Sequence, residues 1–214
     1  MAAAIDESVT GSMMTEAHLG RLLPACLHQA IADVLPDRLE YYEEWLDPVG
    51  LRNGSIGLAP LSAVTGFLRT EGDAYGAVVE RAGALAAEWS MDTVSPSMRR
   101  IGAALPTGLR ARFALRIVRR IVRDVLSSSS ATSQVKRGRA TVTVDTSAFC
   151  MVRDRSAVPL CGFYRALTIE VLRTFHISAL ATIEKCHAVS GQRQCVIAIE
   201  LGARARADEP ALAA

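Results

Sequence analysis

Apolar residues recur at helical spacing through the first 126 residues of the chain. In the first such segment, from Thr15 to Leu35, leucine and isoleucine fall three or four positions apart on one face, and Pro36 ends the pattern. The same spacing predicts further helices at Arg38 to Leu46, over most of Leu61 to Met91, between Pro96 and Pro106, and at Leu109 to Leu126.

The period of the pattern changes after the four serines at 127–130. Valine and threonine then alternate, which predicts a strand with one buried face. The predicted elements are strands at Gln134–Arg137 and Ala140–Asp145, a helix at Cys161–Thr174, and strands at Ile177–Val189 and Gln194–Leu201 around a turn at Ser190-Gly191. This order predicts an α+β fold, with a helical N-terminal half packed on an antiparallel sheet that has a C-terminal helix and a β-hairpin.

Length and composition are those of a globular protein. The 214 residues, of which 50% are hydrophobic, are enough to bury a core without disulfides. We expect a flexible leader at 1–14, one domain over 15–202 and a flexible tail at 203–214. The net charge of +2 gives no argument for nucleic-acid binding, and none is expected. No stretch reaches the roughly 18 consecutive apolar residues of a membrane span. A soluble protein is therefore expected, and peripheral membrane contact stays open. The cytoplasm is the expected location, for the reason given by the cysteines below.

Five cysteines and an acidic N-terminal segment indicate a reducing compartment, where clustered cysteines bind metals or do chemistry more often than they form bridges. The last third of the chain concentrates zinc-binding residue types at Cys161, Glu184, Cys186, His187 and Cys195. A closed set of four ligands would tie the helix that follows Cys161 to the hairpin. Buried cysteines are also ordinary core residues, so a core without metal is the alternative.

The identity of one zinc ligand stays open between two neighbours. On a regular strand Glu184 and Cys186 point to one face and His187 to the other. Either Cys186 is the ligand, or a bulge or the hairpin turn directs the His187 side chain to the same face as Glu184.

The helix predicted at Leu109–Leu126 carries a basic surface. Its predicted apolar face repeats every four residues and consists of Leu109, Phe113, Ile117, Ile121 and Val125. The remaining surface is rich in arginine, including Arg116, Arg119 and Arg120. These side chains could pair with propionates of a tetrapyrrole, with an acidic protein or with an anionic membrane. A solvated basic face without a ligand is the alternative.

Two runs of the last third follow a known pattern, Pro159-Leu160-Cys161-Gly162-Phe163-Tyr164 and the segment from Ile183 to Ile197. Through them, residues of about 125–201 resemble the vinyl-reductase-type domain, which is similar to the ligand-binding domains of phenol-sensing bacterial regulators and to vesicle-tethering subunits of the Golgi. Metal-binding members have a Cys, then Glu-x-x-Cys, then a Cys after seven further residues. Matching this pattern to Cys161, Glu184 and Cys195 puts His187 in the place of the second cysteine.

The length and the helical first half are similar to the small 4-vinyl reductase-type proteins of bacteriochlorophyll biosynthesis. The resemblance implies a Mg-porphyrin or chlorophyllide-type tetrapyrrole ligand, a structural zinc, another enzyme of that pathway as a partner, and a homodimer. Arg116, Arg119 and Arg120 would then face the acidic groups of the ligand, and Phe163 and Tyr164 would form a pocket wall. Both aromatic residues have the core as their alternative place.

Two functions follow from the resemblance. As a vinyl reductase the protein would need a nicotinamide, flavin or iron–sulfur donor. The sequence has no Gly-x-Gly-x-x-Gly after a strand and no iron–sulfur ligand run, so the electron donor is not identified. A carrier or assembly factor for the same pigment is the second function. A zinc-stabilised sensor domain for a small ligand is the alternative to both.

Overall fold

The structure is a computed structural model that describes residues 19–47, 49–50, 56–151 and 155–202. Helices occupy the part before residue 126, and a four-stranded antiparallel sheet with one further long helix follows. The predicted α+β fold is confirmed. The predicted leader at 1–14 and tail at 203–214 lie outside the described residues, as does the predicted helix start at Thr15.

The helices of the first part are separated by proline and glycine. Pro36 and Pro96 each stand in the first turn of a helix, and Gly72 has the positive φ of 65° that lets the chain turn between two helices. The elements are α1 (Leu22–Val34), a 3₁₀ turn (Pro36–Arg38), α2 (Leu39–Glu43), α3 (Leu58–Thr70), α4 (Asp73–Asp92), α5 (Pro96–Ala104) and α6 (Thr107–Val125). None of the described helices combines the length and the apolar character needed to cross a membrane.

The second part forms a sheet with strand order β1-β2-β4-β3. Its elements are β1 (Ser130–Lys136), β2 (Arg139–Asp145), a 3₁₀ turn (Ala148–Cys150), α7 (Gly162–Thr174), β3 (Ala179–Lys185), α8 (His187–Ser190) and β4 (Gln194–Leu201). Buried and exposed residues alternate along β2 and β4, because one face of the sheet packs on the helices and the other does not. β1 begins at Ser130, four residues before the predicted start.

The central helix α7 connects the helical layer to the sheet. It packs against α4, α6 and β3. At Gly83 in α4, an added Cβ would collide with the backbone carbonyl of Phe163. This contact requires glycine, because α4 and α7 approach more closely than any side chain would allow.

Two sequence predictions are wrong in detail. The buried face of α6 does not follow the predicted repeat of every fourth residue, since Leu109 is 50% exposed. The buried residues of the helix are Ala111, Ala114, Leu115, Val118, Ile121, Val122 and Val125. A step of four residues advances by about 40° around a helix with 3.6 residues per turn, so the repeat starts on the exposed side at Leu109 and reaches the core only at Ile121 and Val125. The strand predicted at Ile177–Val189 ends at Lys185, and α8 follows it.

Candidate metal centre

Four cysteines from four separate parts of the fold meet at one end of the sheet. Cys150 ends the 3₁₀ turn after β2, Cys161 precedes α7, Cys186 lies between β3 and α8, and Cys195 is in β4. All four side chains are buried. The meeting point is therefore made by the tertiary fold and not by a local loop.

The geometry of the four thiols fits a single metal ion. Their Sγ atoms all lie within 4.8 Å of one another, and the Sγ of Cys150 is 3.5 Å from those of Cys186 and Cys195. A tetrahedral zinc ion with Zn–S bonds of about 2.3 Å separates its sulfur atoms by about 3.8 Å. All five cysteines are free thiols, and the four in the cluster could hold one metal ion.

Backbone groups around the cluster favour thiolate. The amide of Leu160 donates to the Sγ of Cys186 at 3.4 Å, and the amide of His187 donates to the Sγ of Cys195 at 3.5 Å. Cys161 stands at the start of α7, where the helix dipole favours negative charge. Such backbone donors are the usual outer-shell support of thiolate ligands.

The four thiols share their protons unequally. Hydrogen bonds with neighbouring thiols lower the pKa of Cys150, where the bond with Cys161 is the largest cause. They also lower the pKa of Cys186, where the bond with Cys150 is the largest cause. The hydrogen bond with Cys150 is also the largest cause that raises the pKa of Cys161 and of Cys195. Four like groups this close cannot all ionise together, so they titrate as a coupled set and some keep their protons until a cation binds. A divalent cation would replace the remaining protons.

Of the five predicted ligands, the structure brings together Cys161, Cys186 and Cys195. A β-bulge interrupts the pairing between Ile183 and Lys185, which leaves Glu184 exposed and Cys186 buried. The Glu184 side chain lines a cavity of about 530 Å³ on the open face of the sheet. His187 begins α8 and supplies its backbone amide to Cys195. Neither Glu184 nor His187 belongs to the metal-binding group of the described residues.

Cys150 is the fourth member of the cluster, and the sequence analysis did not include it. It lies in a 3₁₀ turn outside every predicted element, eleven positions before Cys161. The one available signal was the count, since four of the five cysteines come after residue 149. Cys26, the fifth, is buried in α1, and burial raises its pKa to about 12.

Phe163 and Tyr164, predicted as a pocket wall, are core residues beside the cysteine cluster. Both are fully buried, and Phe163 stacks on Phe149 with ring centroids 5.0 Å apart. The Tyr164 hydroxyl makes no hydrogen bond with the described residues. Burial raises the pKa of Tyr164, against the opposing influence of Ser147 nearby. In contrast, the Tyr75 hydroxyl donates to the Leu160 carbonyl at 3.0 Å and so anchors the chain just before Cys161.

The predicted basic residues lie on α6 and are not part of the cysteine cluster. Arg116 and Arg120 are exposed, and Arg119 is half-buried, with its Nε donating to the Ala131 carbonyl at 3.0 Å. Arg120 pairs loosely with Asp124 at 3.8 Å. The structure therefore separates the predicted metal ligands from the predicted acidic-group binding residues.

Comparison with known proteins adds no assignment, because the chain matches no protein-family model and no curated protein. The resemblance to the vinyl-reductase-type domain stays a prediction.

Proposed function

We propose that this protein is a ligand-binding domain held together by a structural zinc ion, with Cys150, Cys161, Cys186 and Cys195 as its four thiolate ligands. The observation that carries the proposal is the convergence of four buried Sγ atoms within 4.8 Å. Four soft sulfur ligands in this arrangement suit zinc, or a single iron, better than any hard cation.

The role of the ion follows from the ligand count. A catalytic zinc has three protein ligands and an open position for water or substrate, whereas a structural zinc has four protein ligands. The four thiolates would fill the coordination sphere, and all of them are buried. The metal would join the turn after β2, the start of α7 and the β3–β4 connection, and it would polarise no substrate.

The ligand of the domain is assigned by resemblance. A chlorophyllide-type tetrapyrrole is the proposed ligand, and transport or presentation of that pigment to a biosynthetic enzyme is the proposed activity. Reduction of its vinyl group is the second candidate. The absence of a nucleotide or flavin motif from the sequence supports the carrier over the reductase.

Elemental analysis tests the metal. Protein purified without added metal should contain one zinc per chain, and a mercurial that titrates thiols should release it. A metal-free protein with four reactive thiols would contradict the proposal. One iron per chain, with the visible absorption of a tetrathiolate site, would also contradict the structural role, because iron in such a site is a redox centre.

A pigment-binding assay tests the ligand separately. Purified protein is mixed with divinyl protochlorophyllide and either NADPH or reduced ferredoxin, and both retention and mass of the pigment are followed. We expect retention without conversion. Repeated vinyl-to-ethyl conversion would make the protein a reductase, and no retention would contradict the tetrapyrrole assignment while leaving the zinc result unchanged.

A further inference from the structure

Helices α5 and α6 form a hairpin that is strongly basic, with Asp124 near the end of α6 as its one acidic residue. They are joined at Leu105-Pro106, and α5 packs through Gly102, where an added Cβ would collide with the rings of Phe113 and Phe175. Residues 93–123 contain no aspartate or glutamate. They contain eight arginines, which are Arg99, Arg100, Arg110, Arg112, Arg116, Arg119, Arg120 and Arg123.

Most of this charge has no compensation within the described part of the protein. Among the eight arginines, Arg120 alone has an acidic partner there, Asp124, and that pair is exposed and 3.8 Å apart. Arg110 and Arg119 donate to backbone carbonyls, which leave their positive charge in place. The hairpin therefore presents a strong positive field to solvent.

Large apolar side chains are exposed on the same hairpin. Met98 is 46%, Ile101 62% and Leu109 50% exposed. Met98 and Ile101 are three residues apart on α5 and share one side of that helix. Leu109 lies opposite the buried face of α6, at helical spacing from Arg112 and Arg116, so apolar and basic side chains alternate on the outward surface.

The turn of the hairpin adjoins a cavity that is likewise both basic and apolar. The cavity, of about 350 Å³, lies between the start of α6 and the β1–β2 turn. Arg112 and Arg137 supply positive charge at its rim, and Val135 and Leu201 supply apolar surface. An anionic group attached to a hydrocarbon body matches this combination.

We propose that the α5–α6 hairpin docks the protein on the surface of an anionic phospholipid bilayer. Exposed leucine, isoleucine and methionine gain free energy at the boundary between headgroups and acyl chains, and arginine gains it from lipid phosphate. A nucleic acid would match the arginines and leave the apolar side chains unused. The complete lack of acidic residues over 93–123 supplies the charge complementarity to the lipid headgroups.

Vesicle flotation tests the proposal with the full-length chain. The probes are vesicles of equal parts phosphatidylglycerol and phosphatidylcholine, and vesicles of phosphatidylcholine alone. We expect binding to the first and not the second, with binding weakened as NaCl rises from about 50 mM to about 500 mM. Since each basic residue near an anionic surface contributes about 1 kcal/mol, replacing Arg112, Arg116 and Arg120 with Gln should weaken binding about 100-fold.

A second variant set separates membrane docking from simple charge attraction. Replacing Met98, Ile101 and Leu109 with Ser should weaken vesicle binding at least tenfold at constant charge. The matched controls are Arg139, Arg173 and Arg193 to Gln, and Leu180 to Ser, all of which are exposed outside the hairpin. These controls should bind as the native chain does, and thermal unfolding verifies that every variant folds.

Three outcomes would overturn the proposal. The native chain could fail to float with anionic vesicles at low salt, or the arginine variant could bind like its control. Alternatively, the serine variant could bind anionic vesicles with the same affinity as the native chain, and both proteins could bind an acidic polypeptide or duplex DNA more tightly than they bind vesicles. That last result would make the hairpin a polyanion surface and not a membrane surface.

Discussion

Replacing Cys150 with Ser is the sharpest test of the metal centre, because the two candidate ligand sets differ at this residue. The Sγ of Cys150 is 3.5 Å from two other cluster thiols. The sequence-based set contains Glu184 in its place, together with either Cys186 or His187. If the four cysteines bind the ion, Cys150→Ser removes a ligand, whereas Glu184→Gln and His187→Asn leave all four in place.

The size of the effect follows from the position of the cluster. A structural zinc contributes its binding free energy to folding, and this ion would join four separate segments spread over residues 150–195. We expect loss of one ligand to cost at least about 3 kcal/mol, which lowers Tm by roughly 6–12 °C in a domain of this size. This is a large part of the about 5–15 kcal/mol that stabilises a typical domain.

Cys26→Ala is the matched control, since Cys26 is equally buried and lies outside the cluster. The measurements are zinc per chain and the Tm with and without a strong chelator. Cys150→Ser should lose both the metal and the chelator response, and Cys26→Ala should keep both. The hypothesis fails if Cys150→Ser retains one zinc per chain while Glu184→Gln or His187→Asn loses it.

Three further predictions concern packing and the turns, and each uses thermal or chemical unfolding. Gly83→Ala should destabilise the protein by about 1–3 kcal/mol, because the new Cβ collides with the Phe163 carbonyl. Gly76→Ala, at an open position of the same helix, should stabilise it by about 0.5–1 kcal/mol. Equal effects of the two variants would refute the close approach of α4 and α7. Tyr75→Phe should cost about 1–2 kcal/mol, because it leaves the buried Leu160 carbonyl without its donor, and Tyr164→Phe should change stability by less than about 0.5 kcal/mol. Arg137→Asn should stabilise by roughly 0.5–1 kcal/mol, because Arg137 has a φ of 46° in a two-residue hairpin turn that favours Asn-Gly; a destabilised variant would show that the arginine side chain holds the turn.

Periodicity was sufficient to predict most elements of this fold. The alternation at 140–145 is a true strand with one face on the core, and the helices broken by Pro36, Pro96 and Pro106 lie close to where these residues predict them. The buried face of α6 was harder to predict from the sequence. Alanine fills much of it, and Ala111 and Ala114 carry little hydrophobic signal, although they allow the helix to pack closely.

The metal centre could be predicted only in part, because its geometry is made by tertiary contacts. The alternation of a regular strand places Cys186 and Glu184 on one face, and the bulge after Ile183 separates them. No local sequence pattern predicts this β-bulge. Cys150 sits in a turn with no periodicity of its own, and only the folded chain brings it to the other three cysteines.

The metal centre and the cavity beside the start of α6 stand at opposite ends of β2. The end of α6 lies nearer the metal centre, since Arg119 donates to the carbonyl of Ala131, which pairs with Val144. Cys195 pairs with Val144 near the end of β2. The cavity beside α6 is lined by Arg137 and Gly138, which form the turn just before β2 begins. The six steps from Arg139 to Asp145 span about 20 Å, beyond the range at which substitutions normally couple. A combined variant with Cys150→Ser and Arg112→Gln, which changes a residue that lines this cavity, should therefore show the sum of the two separate Tm changes, within the equivalent of about 0.5 kcal/mol. Vesicle binding should depend on the arginine alone for as long as the cysteine variant remains folded. A cysteine variant that stays folded but no longer binds vesicles would show that the metal end of the sheet controls the hairpin.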